Sequence, residues 1–181
     1  PADAPAGAAL VRSLRRSLLA RGYAHVPGFL PASLAASLSS EALEHLPSAF
    51  LSTQSHTAYQ EPPDPSLPPG HIRNRPFRSS KLIVDNARLP PSSPLNALYE
   101  RADLRRLIEL AVAPLLPPSA APPSLHLSSD PYNRCYFNVY EPGHGLGWHF
   151  DRSRFGVNLL LAAPEEGGEF EIDGRRTRDG G

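Results

Sequence analysis

The placement of proline constrains this chain more than any other feature. The sequence holds 22 prolines in 181 residues, about twice the usual ~5%, and they are clustered. Proline has no N–H and a fixed φ, so helix interiors and central strands exclude it. The stretches 52–79, with "EPPDPSLPPGHIRNRPFR" inside it, and 114–131 are therefore expected to be proline-rich loops. Loops of such length inside a domain are mostly functional lids or disordered segments. At this length the whole of 1–181 is expected to be a single domain.

The blocks between the loops differ in texture. Residues 8–21 place Leu10, Val11, Leu14, Leu18 and Leu19 at helical spacing with arginines opposite, and Gly22 ends the run. "YAHVPGFL", 23–30, alternates like a short strand, and Pro31 opens a second helix to about Leu46. "KLIVDNA", 81–87, reads as a strand. Residues 94–113 read as the strongest helix, started by Pro94 and stopped by Pro114. After Pro131 the pattern turns to β, with strands at 133–140, 148–153, 155–162 and 169–172 separated by Gly/Pro turns. Helices first and strands afterwards predict an α+β fold, with the helices packed outside a sandwich, jelly roll or barrel.

Charge and apolar runs narrow the function classes. Eighteen basic and eighteen acidic residues cancel, which argues against sequence-independent binding to nucleic acid. No apolar run approaches the ~18 residues of a membrane span, and no charged-then-apolar leader opens the chain. No membrane association is expected, and a cytoplasmic location is favoured. Cys135 is the only cysteine, so no disulfide forms within the chain. The sequence lacks methionine and ends in "RRTRDGG" just after a strand-like run. It is therefore expected to be part of a longer polypeptide.

One stretch, "NVYEPGHGLGWHFD" at 138–151, carries the densest chemistry. Alternation along 133–140 puts Arg134, Tyr136, Asn138 and Tyr140 on one face, and Cys135, Phe137 and Val139 on the other. The second face is apolar and suits packing under helices. The first suits a ligand cavity and equally a solvent-facing surface. His149 and Asp151 point the same way if extended, with Trp148 and Phe150 turned toward packing. An imidazole nitrogen and a carboxylate oxygen can then meet one metal ion, as in the 2-His-1-carboxylate sites of non-haem Fe(II). Taken alone, the pair fits a surface His and Asp as well.

Asn138-Val139-Tyr140, then Pro142-Gly143, then His149-Phe150-Asp151 resembles the signature of the Fe(II)/2-oxoglutarate-dependent dioxygenases, particularly their AlkB-like and prolyl-hydroxylase-like branches. "FGVNLLLAAPEEGGEFEI" is similar to the strand, turn and strand that follow the metal motif there, and "RGYAHVPGFLPASLAASLSSEAL" to the family's opening. With "SPLNALYERADLRRLIE", the chain looks most like a bacterial subgroup of amino-acid hydroxylases and radical halogenases. The resemblance implies a double-stranded β-helix (jelly-roll) core with N-terminal helices outside. It implies His149 and Asp151 as Fe(II) ligands, and Asn138 and Tyr140 as contacts of the 2-oxoglutarate cosubstrate. Halogenases carry Gly or Ala at the metal carboxylate position, so Asp151 implies hydroxylation. The implied substrate is a small molecule, a free amino acid, with O2 as co-reactant. A peptidyl, prolyl-type substrate is the alternative, and a nucleic-acid base fits poorly with zero net charge.

Arg134 and Tyr136, on the polar face, and Arg73 and Arg75, in the first proline loop, are candidate substrate contacts. Arginine can clamp a carboxylate bidentately, and a solvated surface is the plainer role for each. His144 is expected to be an exposed turn residue. His25, His45, His56, His71 and His126 have no partner at ligand spacing and are expected to be structural or exposed. The chain departs from the family in one respect: no histidine follows His149, whereas the family uses a distal His and a cation beyond it. Arg175, Arg176 and Arg178 come too soon to serve. The missing strands are expected beyond Gly181; without them the chain reads as a truncated or degenerate, non-catalytic jelly-roll domain. A cupin fits the Gly143-to-His149 spacing but fails at Asp151, where it needs His, and at Phe155–Gly156, where it needs Glu.

Overall fold

A computed structural model describes residues 5–116 and 124–174. The chain enters through helix α1, Pro5–Arg21. Gly22, at φ 75°, closes the helix by donating its N–H to Leu18 O at 2.9 Å. A left-handed residue at that point is natural for glycine. Helix α2, Ala32–His45, follows Pro31, whose carbonyl accepts from Leu34 and Ala35. Strand β1 is Phe50–His56 and strand β2 is Phe77–Asp85. Helices α3, Pro94–Tyr99, and α4, Ala102–Val112, come next, and strand β3, Tyr136–Val139, is the last regular element among the described residues.

The fold is α+β, with a three-stranded antiparallel sheet in the order β1-β2-β3. Val84 faces Phe137 across the β2–β3 ladder, and both are buried. They pack with Leu38 and Ala42 of α2, Leu89, and Leu95 and Leu98 of α3. Helix α1 lies against α4, where Arg15 Nε donates to Leu110 O at 2.7 Å. The start of α3 is doubly satisfied. Ser93 Oγ accepts from Asn96 N–H at 3.2 Å, and buried Glu41 of α2 accepts from Leu95 N–H at 3.1 Å. A helix leaves its first N–H groups without internal partners, so Glu41 locks α2 to α3.

Helices α2 and α3 therefore cover one face of the sheet, the face of Phe137 and Val84. Opposed residues share a face, so the other face carries His56 and Phe50 from β1, and Phe77, Ser79, Lys81, Ile83 and Asp85 from β2. Tyr136 and Asn138 extend it on β3. The apolar side expected of β3 is realised: Phe137 is buried, and Cys135, just before the strand, packs on the core.

Several sequence expectations need correction. The proline loop expected at 52–79 is shorter. Its prolines all lie between Pro62 and Pro76, and proline-free Phe50–His56 pairs along its whole length with β2, which begins at Phe77. Residues 23–30 form no strand, because Pro27-Gly28, with Gly28 at φ 64°, turns the chain. The helix expected over 94–113 breaks at Arg101, whose ψ of 119° leaves the helical region. It restarts where Asp103 Oδ1 accepts from Leu104 N–H at 2.9 Å while Arg101 grips the same carboxylate. The strand expected over 133–140 is trimmed to Tyr136–Val139. Those expected at 148–153, 155–162 and 169–172 form no ladder among the described residues. An extended segment needs a neighbouring strand to satisfy its backbone, and among the described residues these segments have only the single backbone bond from Phe150 N–H to Ala58 O. Of the second proline loop, 117–123 lies outside the described residues, as do Arg175, Arg176 and Arg178; the described flanks have neither α-helix nor strand beyond the short 3₁₀ turn Ala113–Leu115.

Candidate metal centre

After β3 the chain turns through 141–144 and comes back beside β2. His144 N–H donates to Glu141 O at 2.8 Å, and Glu141 N–H donates to His144 Nδ1 at 3.3 Å, so His144 closes the turn on itself. Gly145 then exchanges two backbone bonds with Ser80, at 2.8 and 3.0 Å. This bridge sets Gly145 beside β2 on the edge that β3 occupies further along.

A turn from the first loop holds the next three residues. Phe150 N–H donates to Ala58 O at 2.7 Å, and Phe150 O accepts from Gln60 Nε2 at 3.2 Å. Arg152 reaches back to Gln60 O. Gln60 sits at φ 55°, a left-handed conformation uncommon for a residue with a Cβ. With both backbone groups of Phe150 engaged, the residues on either side present their side chains to one place.

Those side chains are His149 and Asp151. His149 Nδ1 lies 2.8 Å from Gly147 O, and Nε2 lies 3.2 Å from Asp151 Oδ1. A carbonyl only accepts, so Nδ1 carries a proton, and in the neutral form of the ring Nε2 offers its lone pair. That lone pair faces a carboxylate oxygen, a repulsive pairing that a shared cation relieves. Bonds of about 2.0–2.2 Å to N and O ligands at right angles put the two atoms about 3 Å apart, close to what is seen. A protonated His149 would instead donate directly to Asp151. The carboxylate is open to solvent at 59% side-chain exposure and the imidazole is largely sheltered at 20%, so a ligand can approach from Asp151's side. The pair fits two adjacent positions of a metal ion. Among the described residues no group of three His, Cys, Asp or Glu is placed to hold one.

Three residues flank the pair: His56, expected to be structural or exposed, and Ser79 and Lys81, which the sequence did not single out. The His56 ring stands edge-on to His149 with centroids 5.9 Å apart. Ser79 Oγ lies 2.7 Å from His56 Nε2 and accepts from Gly147 N–H at 2.9 Å. Lys81, the chain's only lysine, is half-buried on the same face; burial lowers its pKa and the Asp151 charge partly offsets this. The β2–β3 register, continued one step past Leu82–Val139, sets Tyr140 beside Lys81. Tyr140 is 44% exposed, and burial of the remainder, then Tyr136, raises its phenol pKa. The hydroxyl thus stays a donor. Asn138 is exposed on the same face, opposite Ile83.

The expected substrate contacts divide. Tyr136 lines a cavity of about 400 Å³ on this face, together with Lys81, Asp85 and Arg88. Arg134 leaves the face predicted for it: its guanidinium bonds Glu100 at 2.7 Å and lies over Tyr99, 5.3 Å from the ring centroid. Arg73 stacks on Tyr59 at 4.6 Å, and Tyr59 packs on Phe150 at 5.2 Å. Arg75 covers Phe77 at 5.5 Å. Both loop arginines therefore brace the aromatic surround of the site. Trp148, expected to pack, is 48% exposed. No family model, no curated protein and no solved structure matches the chain.

Proposed function

We propose that the chain carries part of the catalytic site of an Fe(II)- and 2-oxoglutarate-dependent hydroxylase, on a scaffold of the double-stranded β-helix type. The observation that carries the reading is the His149 Nε2 to Asp151 Oδ1 approach of 3.2 Å, with His149 Nδ1 already spent on Gly147 O. His149 and Asp151 would hold the iron. When bound with 2-oxoglutarate and O2, the iron supplies oxidative decarboxylation of the cosubstrate and hydroxylation of a substrate C–H bond.

The chain's own residues do the rest. A dicarboxylate held near the iron by its oxo-acid end needs partners for its far carboxylate. Tyr140 donates a hydroxyl proton and Lys81 a positive charge from the same strand pair, while Asn138 adds an amide donor from the next outward position of β3. Lys81 thereby fills the cationic role for which the sequence offered no distal arginine. The cavity walled by Tyr136, Lys81, Asp85 and Arg88 adjoins Lys81 and has room and polarity for a small zwitterion such as a free amino acid.

The reading is tested by incubating the purified chain with Fe(II) and 2-oxoglutarate in air and measuring succinate by NMR. Succinate should form with the wild-type chain and fall to the level of free Fe(II) with His149→Ala or Asp151→Ala. Succinate at that background level in the wild type, or undiminished in both variants, would sink the reading.

A further inference from the structure

The atoms behind His149 form a continuous relay. Thr57 O lies 2.9 Å from His56 Nδ1, and His56 Nε2 lies 2.7 Å from Ser79 Oγ. Ser79 Oγ accepts from Gly147 N–H at 2.9 Å, and Gly147 O lies 2.8 Å from His149 Nδ1. The donor direction is fixed from one end. Thr57 O can only accept, so His56 carries a proton on Nδ1, and in the neutral form of the ring Nε2 accepts. Ser79, having accepted from Gly147, spends its single proton on His56. Ser79 is 7% exposed and Thr57 5%, so both are buried, while His56, Gly147 and His149 are partly buried.

Gly147 is wedged as well as bonded. A Cβ there would stand 2.7 Å from Phe77 Cβ and 3.0 Å from Arg78 O. Its main chain is thus held against β2 by the close approach of Phe77 and Arg78 and by the bond to Ser79.

We infer that Ser79 and His56 are positioning residues which, through the pinned main chain of Gly147, set the orientation and tautomer of His149 and so prepare Nε2 as a metal ligand. The inference rests on the metal reading of His149 for its purpose, but the tautomer exists without metal. Groups that orient a ligating imidazole typically change metal affinity by about 10–100-fold.

The test uses the wild-type chain with Ser79→Ala and Ser79→Thr. Long-range proton–nitrogen NMR on the neutral rings reports the tautomer with no metal present, and Co(II) titration followed by visible absorption reports affinity. The wild type should show His149 protonated at Nδ1 alone. Ser79→Ala should show a mixture of tautomers and bind Co(II) about tenfold more weakly, and Ser79→Thr, which keeps the hydroxyl, should restore both. A Ser79→Ala chain with unchanged tautomer and unchanged Co(II) affinity would overturn the relay. A tautomer shift in a chain whose wild type binds no Co(II) would support the relay and remove the metal reading instead. Near-ultraviolet circular dichroism identifies a variant that has merely unfolded, and a Ser79→Thr chain that is folded yet fails to restore the tautomer also counts against the relay.

Discussion

At the scale of single residues, the site was legible where it is local. His149 and Asp151 are two apart, and an extended backbone sends both side chains the same way whatever surrounds them. Asn138 shares its face with Tyr136 by the same rule. Lys81, Ser79 and His56 were not legible, because their nearness to His149 depends on the pairing of β1 with β2 and on a turn that returns 145–151 to the sheet. Lys81 had one signal, its being the only lysine, and that signal named no partner. Two predictions belong here. Tyr140→Phe should weaken 2-oxoglutarate binding by about tenfold or more, the loss expected for a hydrogen bond to a charged group, as measured by calorimetry with Fe(II) under nitrogen. Lys81 sets a pH limit. Burial lowers its pKa below the ordinary 10.5, so its charge is complete below the lowered value and lost as pH rises through it. Affinity for 2-oxoglutarate should therefore fall on the alkaline side before an ordinary lysine would titrate, and Lys81→Arg should move that fall to higher pH.

At the scale of elements, periodicity located α1 and α2 and the apolar face of β3, because each buries a face that its own sequence defines. It missed β1, "FLSTQSH", which has no clear alternation of apolar and polar residues. That strand exists because β2 offers it seven consecutive partners, a long-range cause that local pattern does not carry. It also ran α3 and α4 together. The break at Arg101 follows from Arg101 Nε and Nη2 gripping the two oxygens of Asp103 at 2.9 and 2.6 Å. Arg101 holds the Asp103 carboxyl down to about 2 from an ordinary 3.8. The sign follows: the pair supports the start of α4 fully above 3.8 and loses that support as pH falls through about 2. Carbon NMR of the Asp103 carboxyl should give a midpoint near 2, and Arg101→Ala should return it toward the ordinary value. An unshifted wild-type midpoint would show that the fork does not hold in solution.

At the scale of the whole molecule, the core joins α2, α3 and the sheet around Leu38 and Val84, both with no measurable exposure. Leu38→Ala removes a side chain from the centre of that contact and should cost about 2–5 kcal/mol of stability, seen as a lower midpoint in urea unfolding. A change below about 0.5 kcal/mol, the usual size for a surface substitution, would show that the core is not where the packing places it. The opposite face of the sheet carries His56, Ser79 and Lys81. Beyond it Val157, Leu160, Phe170 and Ile172 are each at least half exposed and join no ladder among the described residues. Their segments, 155–162 and 169–172, read as strands in the sequence, yet strand pattern becomes sheet only beside a partner. The α+β class was therefore legible, but the order was not, because β1 and β2 precede α3 and α4, and neither was the extent of the sheet. The account's central claim is that His149 and Asp151 bind Fe(II) next to a 2-oxoglutarate shelf. Its most direct test is anaerobic visible absorption of the chain with Fe(II) and 2-oxoglutarate, because a 2-oxo acid chelated to iron at a protein site gives a charge-transfer band that the separate components lack. The band should form with the wild type and be lost in Asp151→Ala; no band at saturating Fe(II) and 2-oxoglutarate, or a band unchanged in Asp151→Ala, would overturn the proposed iron site.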